Sequence, residues 1–280
     1  MRWRRGTGSG QIEDRRGASP IALGGGAAGG IGVLVLLLLY LFGGGGGAGA
    51  GPLEPLPEMP AAQGRGPDPD AELKDFVAFV VQDVQSSWAR SFARSNKTYE
   101  PTKLVLFENA TQTGCGMGSS QTGPFYCPLD RKVYLDLGFF RELRSRFGAP
   151  GDFAQAYVIA HEFGHHVQNL LGISDDVRTD QQKDPGGANE LSIRLELQAD
   201  CLAGVWAHSA YEQKLLESGD LEEGLAAAAA VGDDRIQKQA GAAVDPESWT
   251  HGSSEQRTTW FRKGFDGGDP GACDTFSGEL

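Results

Sequence analysis

The chain has 280 residues, a formal net charge of −12 and 40% hydrophobic residues, enough for one large folded domain or two small ones. Arginines outnumber acidic residues among the first fifty positions, so the remainder is more acidic than the total suggests. Such an acidic surface repels phosphate backbones, and the sequence therefore predicts no nucleic-acid partner.

An uncharged segment follows the basic N-terminus. It extends from Gly17 to Leu53 and contains the apolar run IGVLVLLLLYLF at residues 31–42. Residues 21–42 are long enough to cross a bilayer as a helix at about 1.5 Å per residue. Arginines precede this stretch and none follows it closely, which predicts a transmembrane anchor with residues 1–20 in the cytoplasm and the rest of the chain outside.

Other interpretations of this segment stay open. The strongly apolar run is short enough for a signal peptide, and Ala48-Gly49-Ala50 resembles a cleavage site, so a cleaved and secreted form is one alternative. A buried core helix is another, which the many glycines disfavour. The spacings Gly25-xxx-Gly29 and Gly26-xxx-Gly30 are a weak indication of a homodimer formed through this segment.

The Gly- and Pro-rich residues 43–72 are typical of a flexible linker, after which a folded domain is predicted at 73–280. Residues 174–190 form a polar loop in this interpretation. The fold class that follows is α+β, mainly helical with a small sheet. In chain order, apolar spacing and end signals predict a helix from Leu73, strands at 103–108 and 132–137, and helices at 139–148, 152–172, 190–213, 221–237 and 253–265.

The cysteines are even in number, as expected in an oxidising compartment, and they are Cys115, Cys127, Cys201 and Cys273. Three pairings are possible. We favour Cys115–Cys127 with Cys201–Cys273, because the first pair closes a short loop rich in Gly, Ser and Pro. Zinc ligation by these cysteines is disfavoured, since no C-x-x-C spacing is present.

The stretch HEFGHHVQNLL at 161–171 carries the clearest chemical signal. His161 and His165 are four apart, so a helix presents both imidazoles on one face, where they can bind a single metal ion. Glu162 can reach a water bound to that metal. This H-E-x-x-H arrangement is typical of zinc peptidases, and it predicts one Zn²⁺ per chain.

Zinc needs a third protein ligand. The metzincin continuation is absent, because Gln168 and Leu171 occupy the positions where it requires Gly and His. The next predicted helix carries Glu196 and Asp200, again four apart. Glu196 is the predicted ligand, and Asp200 is predicted to accept a hydrogen bond from the far nitrogen of His161 or His165. This E-x-x-x-D pattern after H-E-x-x-H resembles the gluzincin branch of zinc peptidases.

A peptidase of this kind also needs a group that stabilises the oxyanion. His251 and Arg257 are the candidates; their spacing resembles the His-Pro-Pro…Arg stretch of membrane-embedded heat-shock and prenyl-protein zinc peptidases, with Gly252 in place of the first proline. A cap on the last helix is the alternative role of His251. His166 is interpreted as either a partner of the metal ligands or a structural residue, and His208 as structural.

Four segments together resemble a bacterial family of neutral zinc metallopeptidases (the YpfJ-like family): GPFYCPLDRKVYLDLGFF, AHEFGHHVQNLLGI, RLELQADCLAGVWAH and WTHGSSEQRTTWFRKGF. The resemblance covers residues 74–275 and the short basic N-terminus before a hydrophobic segment. It implies a zincin-like domain, a membrane anchor and an H-E-x-x-H zinc site, and it names no substrate.

The sequence thus predicts a membrane-anchored zinc endopeptidase that acts on peptides or proteins. The strand at 132–137 is predicted to be an edge strand that pairs with extended substrate. One alternative is a non-catalytic, zinc-stabilised binding protein of the cell envelope. Another alternative is an enzyme of the same mechanism that hydrolyses amide bonds of the cell wall.

Overall fold

The computed structural model describes residues 1–5, 9–17, 67–241, 243–278 and 280. The predicted α+β class, mainly helical with small sheets, is confirmed. The strands are β1 (Ile12–Asp14), β2 (Leu104–Phe107), β3 (Ala110–Thr113), β4 (Gly116–Ser119), β5 (Phe125–Cys127) and β6 (Lys132–Asp136). The helices are α1 (Ala71–Arg94), α2 (Gly138–Ser145), α3 (Asp152–Leu170), α4 (Ile173–Lys183), α5 (Ala188–Glu212), α6 (Asp220–Ala230), α7 (Asp233–Gln239) and α8 (Ser254–Gly267).

The larger sheet has the order β1-β2-β6-β5, and β5 alone runs antiparallel to its neighbour. All four residues of β2 are buried, as expected for a strand inside a sheet covered on both faces. Strands β3 and β4 form a separate antiparallel hairpin. A disulfide between Cys115, at the turn of this hairpin, and Cys127 ties the hairpin to β5.

Two close helix crossings shape the part of the domain that carries the motif. A Cβ atom added at Gly164 of α3 would lie 2.9 Å from the carbonyl oxygen of Ala199 in α5. At the crossing of α5 with α8, a Cβ atom at Gly204 would lie 2.0 Å from the carbonyl oxygen of Phe261. Glycine is therefore required at both crossings, and helix α5 is held directly against α3 on one side and α8 on the other.

Both favoured disulfides are confirmed. The second one joins Cys201 of α5 to Cys273, beyond the end of α8, with 5.5 Å between the Cα atoms. It closes a loop of 72 residues. Cross-linking residues that far apart restricts the unfolded chain strongly, which in the chain-entropy account stabilises the fold by a few kcal/mol.

The predicted polar loop at 174–190 is wrong in its first half, where helix α4 forms. Asp175 and Asp176 lie in the first turn of α4, where carboxylates favour the helix dipole. Val177 is buried, and Arg178 pairs with Asp175 at 2.7 Å. The segment was missed because its one buried apolar side chain produces no helical periodicity.

The single helix predicted at 221–237 is instead two helices, α6 and α7, separated near Gly232. A Cβ atom at Gly232 would lie 2.4 Å from the backbone nitrogen of Ser254, at the start of α8. The chain bends here to pack against α8, and only the tertiary contact imposes this bend.

The first seventeen residues are part of the domain rather than a separate N-terminal segment. Met1–Gly17 and Glu72–Leu280 form one compact unit. Strand β1 pairs in parallel with β2, with Ile12 opposite Leu104, and the Trp3 ring packs edge-on against Phe76 at 5.6 Å between centroids. A strand of three residues is too short to show alternation, so the sequence pattern did not indicate β1.

The predicted anchor at 21–42 and most of the predicted linker, residues 43–66, lie outside the described residues. Among the helices that the structure does describe, none combines the length and apolar character needed to cross a membrane. A chain that crossed a bilayer once between residues 17 and 67 would place β1 and β2 on opposite sides. The predicted cytoplasmic N-terminus with an outside domain and the β1–β2 pair are therefore mutually exclusive.

We expect residues 1–17 and the domain to lie on the same side of the membrane in cells. The four native cysteines are all in disulfides, so a cysteine introduced at Arg5 or at Arg178 is the only free thiol. These side chains are 64% and 52% exposed, respectively. A membrane-impermeant maleimide added to intact cells, and then to permeabilised cells, should label both positions under the same condition. Labelling of Arg178→Cys alone on intact cells would instead support a single crossing and exclude the β1–β2 pair.

Candidate metal centre

Helix α3 supplies the two histidines of the motif. It is buried on nearly all sides along its middle, so His161 and Glu162 lie inside the domain. His161 and His165 stand one turn apart, with 4.8 Å between ring centroids. Burial of two imidazoles and a carboxylate is costly unless charges or a metal compensate them.

Glu196 of α5 completes the group. Its carboxylate oxygens lie 3.1 Å from Nε2 of His161 and 3.3 Å from Nε2 of His165. One ligand atom from each of the three residues lies within 4.8 Å of the others. The structure thus brings together the three residues that the sequence predicted as metal ligands, and the α3–α5 contact at Gly164 makes this approach possible.

The donor set fits zinc. Ligand bonds of about 2.0–2.1 Å in a tetrahedron require donor atoms about 3.3 Å apart, which is close to the two separations observed here. Two imidazole nitrogens and one carboxylate are the ligands of a catalytic zinc site, which keeps its fourth position open. His161, His165 and Glu196 would hold the ion.

The carboxylates of Glu196 and Glu162 have opposite electrostatic environments. Burial alone would raise the pKa of Glu196, but His165 and His161 hold it well below its usual range. Burial raises the pKa of Glu162, and the two histidines oppose this rise only in part. Glu196 is therefore suited to stay ionised as a ligand, while Glu162 is suited to take up a proton.

Asp200 lies behind His161, fully buried, and the structure brings the two together as predicted from their spacing. Nδ1 of His161 donates to Oδ1 of Asp200 at 2.9 Å, which leaves Nε2 free to face Glu196. Burial would raise the pKa of Asp200, but Arg257 and His161 lower it below its usual range. The ionised carboxylate fixes the tautomer and the orientation of His161.

Arg257 lies on the Nδ1 side of His161, with Nη2 3.4 Å from Nδ1, and not on the Nε2 side that faces Glu196, where its predicted role as an oxyanion group would place it. Its guanidinium binds Asp200 with two hydrogen bonds, Nε to Oδ2 at 2.8 Å and Nη2 to Oδ1 at 3.0 Å. Tyr157, which the sequence analysis missed, donates its hydroxyl to the same Oδ1 at 2.5 Å. Arg257 thus orients His161 through Asp200, because the α5–α8 crossing places it there.

His251 is the histidine that remains available near the ligands. Its side chain is 49% exposed, and Nδ1 lies 3.2 Å from Oδ1 of Asp233. This hydrogen bond raises the pKa of His251, and the negative charge of Glu196 raises it further despite partial burial. The helix cap that we considered for His251 is formed instead by Ser253 with Gln256.

Asp233 holds the whole turn that carries His251. Its Oδ2 accepts backbone N–H bonds from Thr250 at 2.8 Å, His251 at 2.7 Å and Gly252 at 3.1 Å. Gly252 has a φ of 89°, which proline cannot adopt, so glycine at this position suits the turn. No sequence signal indicated Asp233, since it lies 18 residues from His251.

The other two histidines, His166 and His208, each bind a backbone carbonyl. Nε2 of His166 donates to the backbone carbonyl of Glu100 at 2.7 Å, and Nδ1 accepts from the Tyr126 hydroxyl at 3.0 Å. His208 donates Nδ1 to the carbonyl of Phe265 at 2.6 Å. Neither ring faces the metal ligands.

Gln168 is a site residue that the sequence analysis did not recognise. Its Oε1 accepts a hydrogen bond from Nδ1 of His165 at 2.8 Å, so it does for His165 what Asp200 does for His161. Its position three residues after His165 on the same helix was the available signal, because residues three apart share a face.

A second acidic group lies at the opposite end of α3 and consists of Asp152, Asp220 and Glu223. The α-amino group of Met1 bonds to Asp152 at 2.9 Å and to Asp220 at 3.3 Å. This ammonium group offsets part of the charge of the three carboxylates, and the cluster contains no histidine.

The chain is similar to known proteins along nearly its whole length. A family model described as "Putative neutral zinc metallopeptidase" matches residues 1–276. YpfJ, an uncharacterized protein of Escherichia coli K12, is 46% identical over 284 residues that cover 99% of both chains. An uncharacterized protein of Mycobacterium tuberculosis is 49% identical over 190 residues, 64% of each chain. No solved structure matches the chain at a significant level.

Proposed function

The chain belongs to the neutral zinc metallopeptidase family, and on that premise we propose that it is a zinc-dependent endopeptidase. The observation that carries the proposal is the convergence of His161, His165 and Glu196 on one point, with Glu162 buried beside them and outside the ligand set. A purely structural zinc site closes its fourth position and needs no neighbouring base.

In this proposal each residue around the centre has a defined task. A zinc ion held there would supply Lewis acidity, which would lower the pKa of a bound water toward about 7 and polarise the scissile carbonyl. Glu162 takes the proton from the attacking water and later gives it to the leaving amine, which its raised pKa favours. Asp200 and Gln168 keep the Nε2 atoms of the two histidines directed at the ion.

His251 is the group that we assign to the oxyanion. It is exposed enough to meet substrate, and Asp233 both orients its ring and favours the protonated, donating form. A positioned donor of this kind stabilises developing negative charge more than it stabilises the neutral carbonyl, and this difference accelerates the reaction.

The strand that pairs with substrate is not the one expected from the sequence. Strand β6 lies between β2 and β5, so both of its edges are occupied. Strand β5 forms one edge of the sheet, opposite β1, and packs on α3, where the Tyr126 hydroxyl accepts from Nδ2 of Asn169 at 3.0 Å. We assign extended substrate to this edge, where backbone hydrogen bonds give affinity with little side-chain preference.

We also propose that the domain works in an oxidising compartment outside the cytoplasm. Two disulfides join all four cysteines of the sequence, a use of cysteine that reducing compartments do not sustain. The β1–β2 pair supports the same compartment for residues 1–17.

The activity is tested with the purified full-length chain and an unbiased peptide mixture. Zinc-loaded protein should cleave internal peptide bonds, a chelator should stop cleavage, and added zinc should restore it. A chain that holds one zinc ion and cuts no peptide under these conditions would count against the proposal.

Replacement of His251 by Ala should lower kcat about 10²- to 10³-fold with zinc content unchanged, because the oxyanion loses one donor.

Asp233→Asn should act through the pKa of His251. The protonated donor is lost as the pH rises through that raised pKa, so removing the carboxylate should move the alkaline limb of kcat/KM to lower pH. Profiles of rate against pH for both variants measure this.

His208→Ala is the matched control, since His208 is a histidine near the C-terminal end of α5 that binds the Phe265 carbonyl. It should leave both kcat and the alkaline limb as in the wild type. If Asp233→Asn lowers activity equally at every pH, Asp233 is merely holding the turn and His251 is not titrating.

A further inference from the structure

A buried chain of hydrogen bonds runs from the ligand His165 to the second disulfide. Nδ1 of His165 donates to Oε1 of Gln168 at 2.8 Å, and Nε2 of Gln168 donates to Oε1 of Gln198 at 3.0 Å. Nε2 of Gln198 donates in turn to the backbone carbonyl of Cys273 at 2.9 Å. Gln168, Gln198 and Cys273 are all buried.

The donor-to-acceptor direction of these hydrogen bonds is set at the end that meets Cys273. The Cys273 carbonyl can only accept, so it fixes the amide nitrogen of Gln198 toward itself and the amide oxygen toward Gln168. Gln168 must then donate, which it does also to the carbonyl of Leu195 at 2.7 Å. Its oxygen is left facing His165, and this selects the tautomer in which Nε2 is free for a metal.

The disulfide keeps the Cys273 carbonyl in place. Cys201 lies three residues after Gln198 on α5, hence on the same face of the helix, and its bond to Cys273 brings the segment after α8 onto that face. Arg194 makes a second attachment, donating to the carbonyl of Thr275 at 2.6 Å. The segment after α8 therefore stays attached through Arg194 when the disulfide is lost. The position of the Cys273 carbonyl depends on both the disulfide and the Arg194 hydrogen bond.

We propose that Gln198 and the Cys201–Cys273 disulfide are positioning elements of the metal site: together they hold Gln168, and through it His165, in the orientation that binds the ion. The inference rests on the proposed function only for the identity of the ion as zinc. Loss of Gln198 leaves one buried N–H of Gln168 without its acceptor, with only the Leu195 carbonyl still holding that amide, and loss of the disulfide frees the carbonyl that Gln198 binds. Either loss loosens the hold on Gln168 and lets His165 turn or change tautomer.

The test measures zinc affinity by competition with a chromophoric chelator, using the full-length chain stripped of metal. The variants are Gln198→Ala, Cys201→Ser/Cys273→Ser and their combination. The control is Cys115→Ser/Cys127→Ser, which removes the other disulfide, whose cysteines make no hydrogen bond to a metal ligand among the described residues. Serine avoids new thiols that would bind zinc. The visible spectrum of the cobalt-loaded protein reports ligand geometry for each variant.

We expect Gln198→Ala and the Cys201/Cys273 variant each to raise the Kd for zinc about tenfold or more, the usual effect of losing a partner of a ligand. The combined variant should raise the Kd little beyond the larger single effect, because both changes break the same series of hydrogen bonds. The control should stay within about twofold of the wild type, and its cobalt spectrum should be unchanged.

Gln198→Ala keeps both disulfides, so it tests the series of hydrogen bonds even if the Cys201/Cys273 variant fails to fold. The inference is overturned if Gln198→Ala binds zinc and cobalt as the wild type does, or if the control loses as much affinity as the Cys201/Cys273 variant. Such a result leaves the proposed peptidase intact, because wild-type zinc binding and cleavage are read separately. A wild type that binds no zinc would overturn both.

Discussion

Replacement of Glu162 by Gln should reduce peptide cleavage by about 10²- to 10⁴-fold while zinc binding stays near that of the wild type. Gln has nearly the shape of Glu but cannot accept the proton of the attacking water. Zinc should stay bound because Glu162 is not among the three ligands. Cleavage rate and zinc content, both measured on the same preparation of the full-length chain, check this result.

Glu212→Gln is the matched control, a carboxylate whose side chain is 69% exposed at the end of α5. It should cleave at the wild-type rate. A Glu162→Gln variant that cleaves as fast as the control would show that Glu162 is not the base. If wild type and variant both hold zinc and neither cuts, the metal has a structural role and the family resemblance does not extend to activity.

Replacement of Arg257 by Ala should lower the free energy of unfolding by about 3–5 kcal/mol, the usual cost of removing one partner of a buried ion pair. Arg257 is 3% exposed and Asp200 is 0% exposed, so the carboxylate would be left buried beside Tyr157 and His161 without its cation. The ionised Asp200 would then be less stable, and zinc should bind more weakly because Asp200 orients His161. Urea unfolding of the metal-free protein measures the change in stability.

Two further variants separate this interaction from a general effect of losing an arginine. Arg178→Ala removes an exposed partner of Asp175 and should change the free energy of unfolding by less than about 0.5 kcal/mol. The double variant Arg257→Ala/Asp200→Ala should be less destabilised than the sum of the single variants, since no charge is left unpaired. An Arg257→Ala variant as stable as Arg178→Ala would contradict the assigned role of the ion pair.

Some of the site could be predicted from the sequence because its geometry is local. His161 and His165 meet on one face of a helix whatever surrounds that helix, and the same spacing applies to Glu196 and Asp200. The long helices were predictable for the same reason, since their apolar residues repeat at the helical period over several turns. The cysteine pairing followed from loop length and composition.

Other parts of the site depend on which helices touch, and sequence spacing does not contain that information. Arg257 meets Asp200 because Gly204 allows α8 to pack directly on α5. Asp233 reaches His251 only because the chain bends at Gly232.

The sequence by itself predicted the candidate metal ligands, the candidate base and the long helices, because periodicity and i,i+4 spacing are properties of a single helix. Tertiary structure alone decided the partners of Arg257 and His251, the hydrogen-bond chain behind His165 and the place of β1 in the sheet. Each of these is a contact between segments far apart in the chain. Their meeting depends on helix crossings and strand order, which result from packing the whole domain.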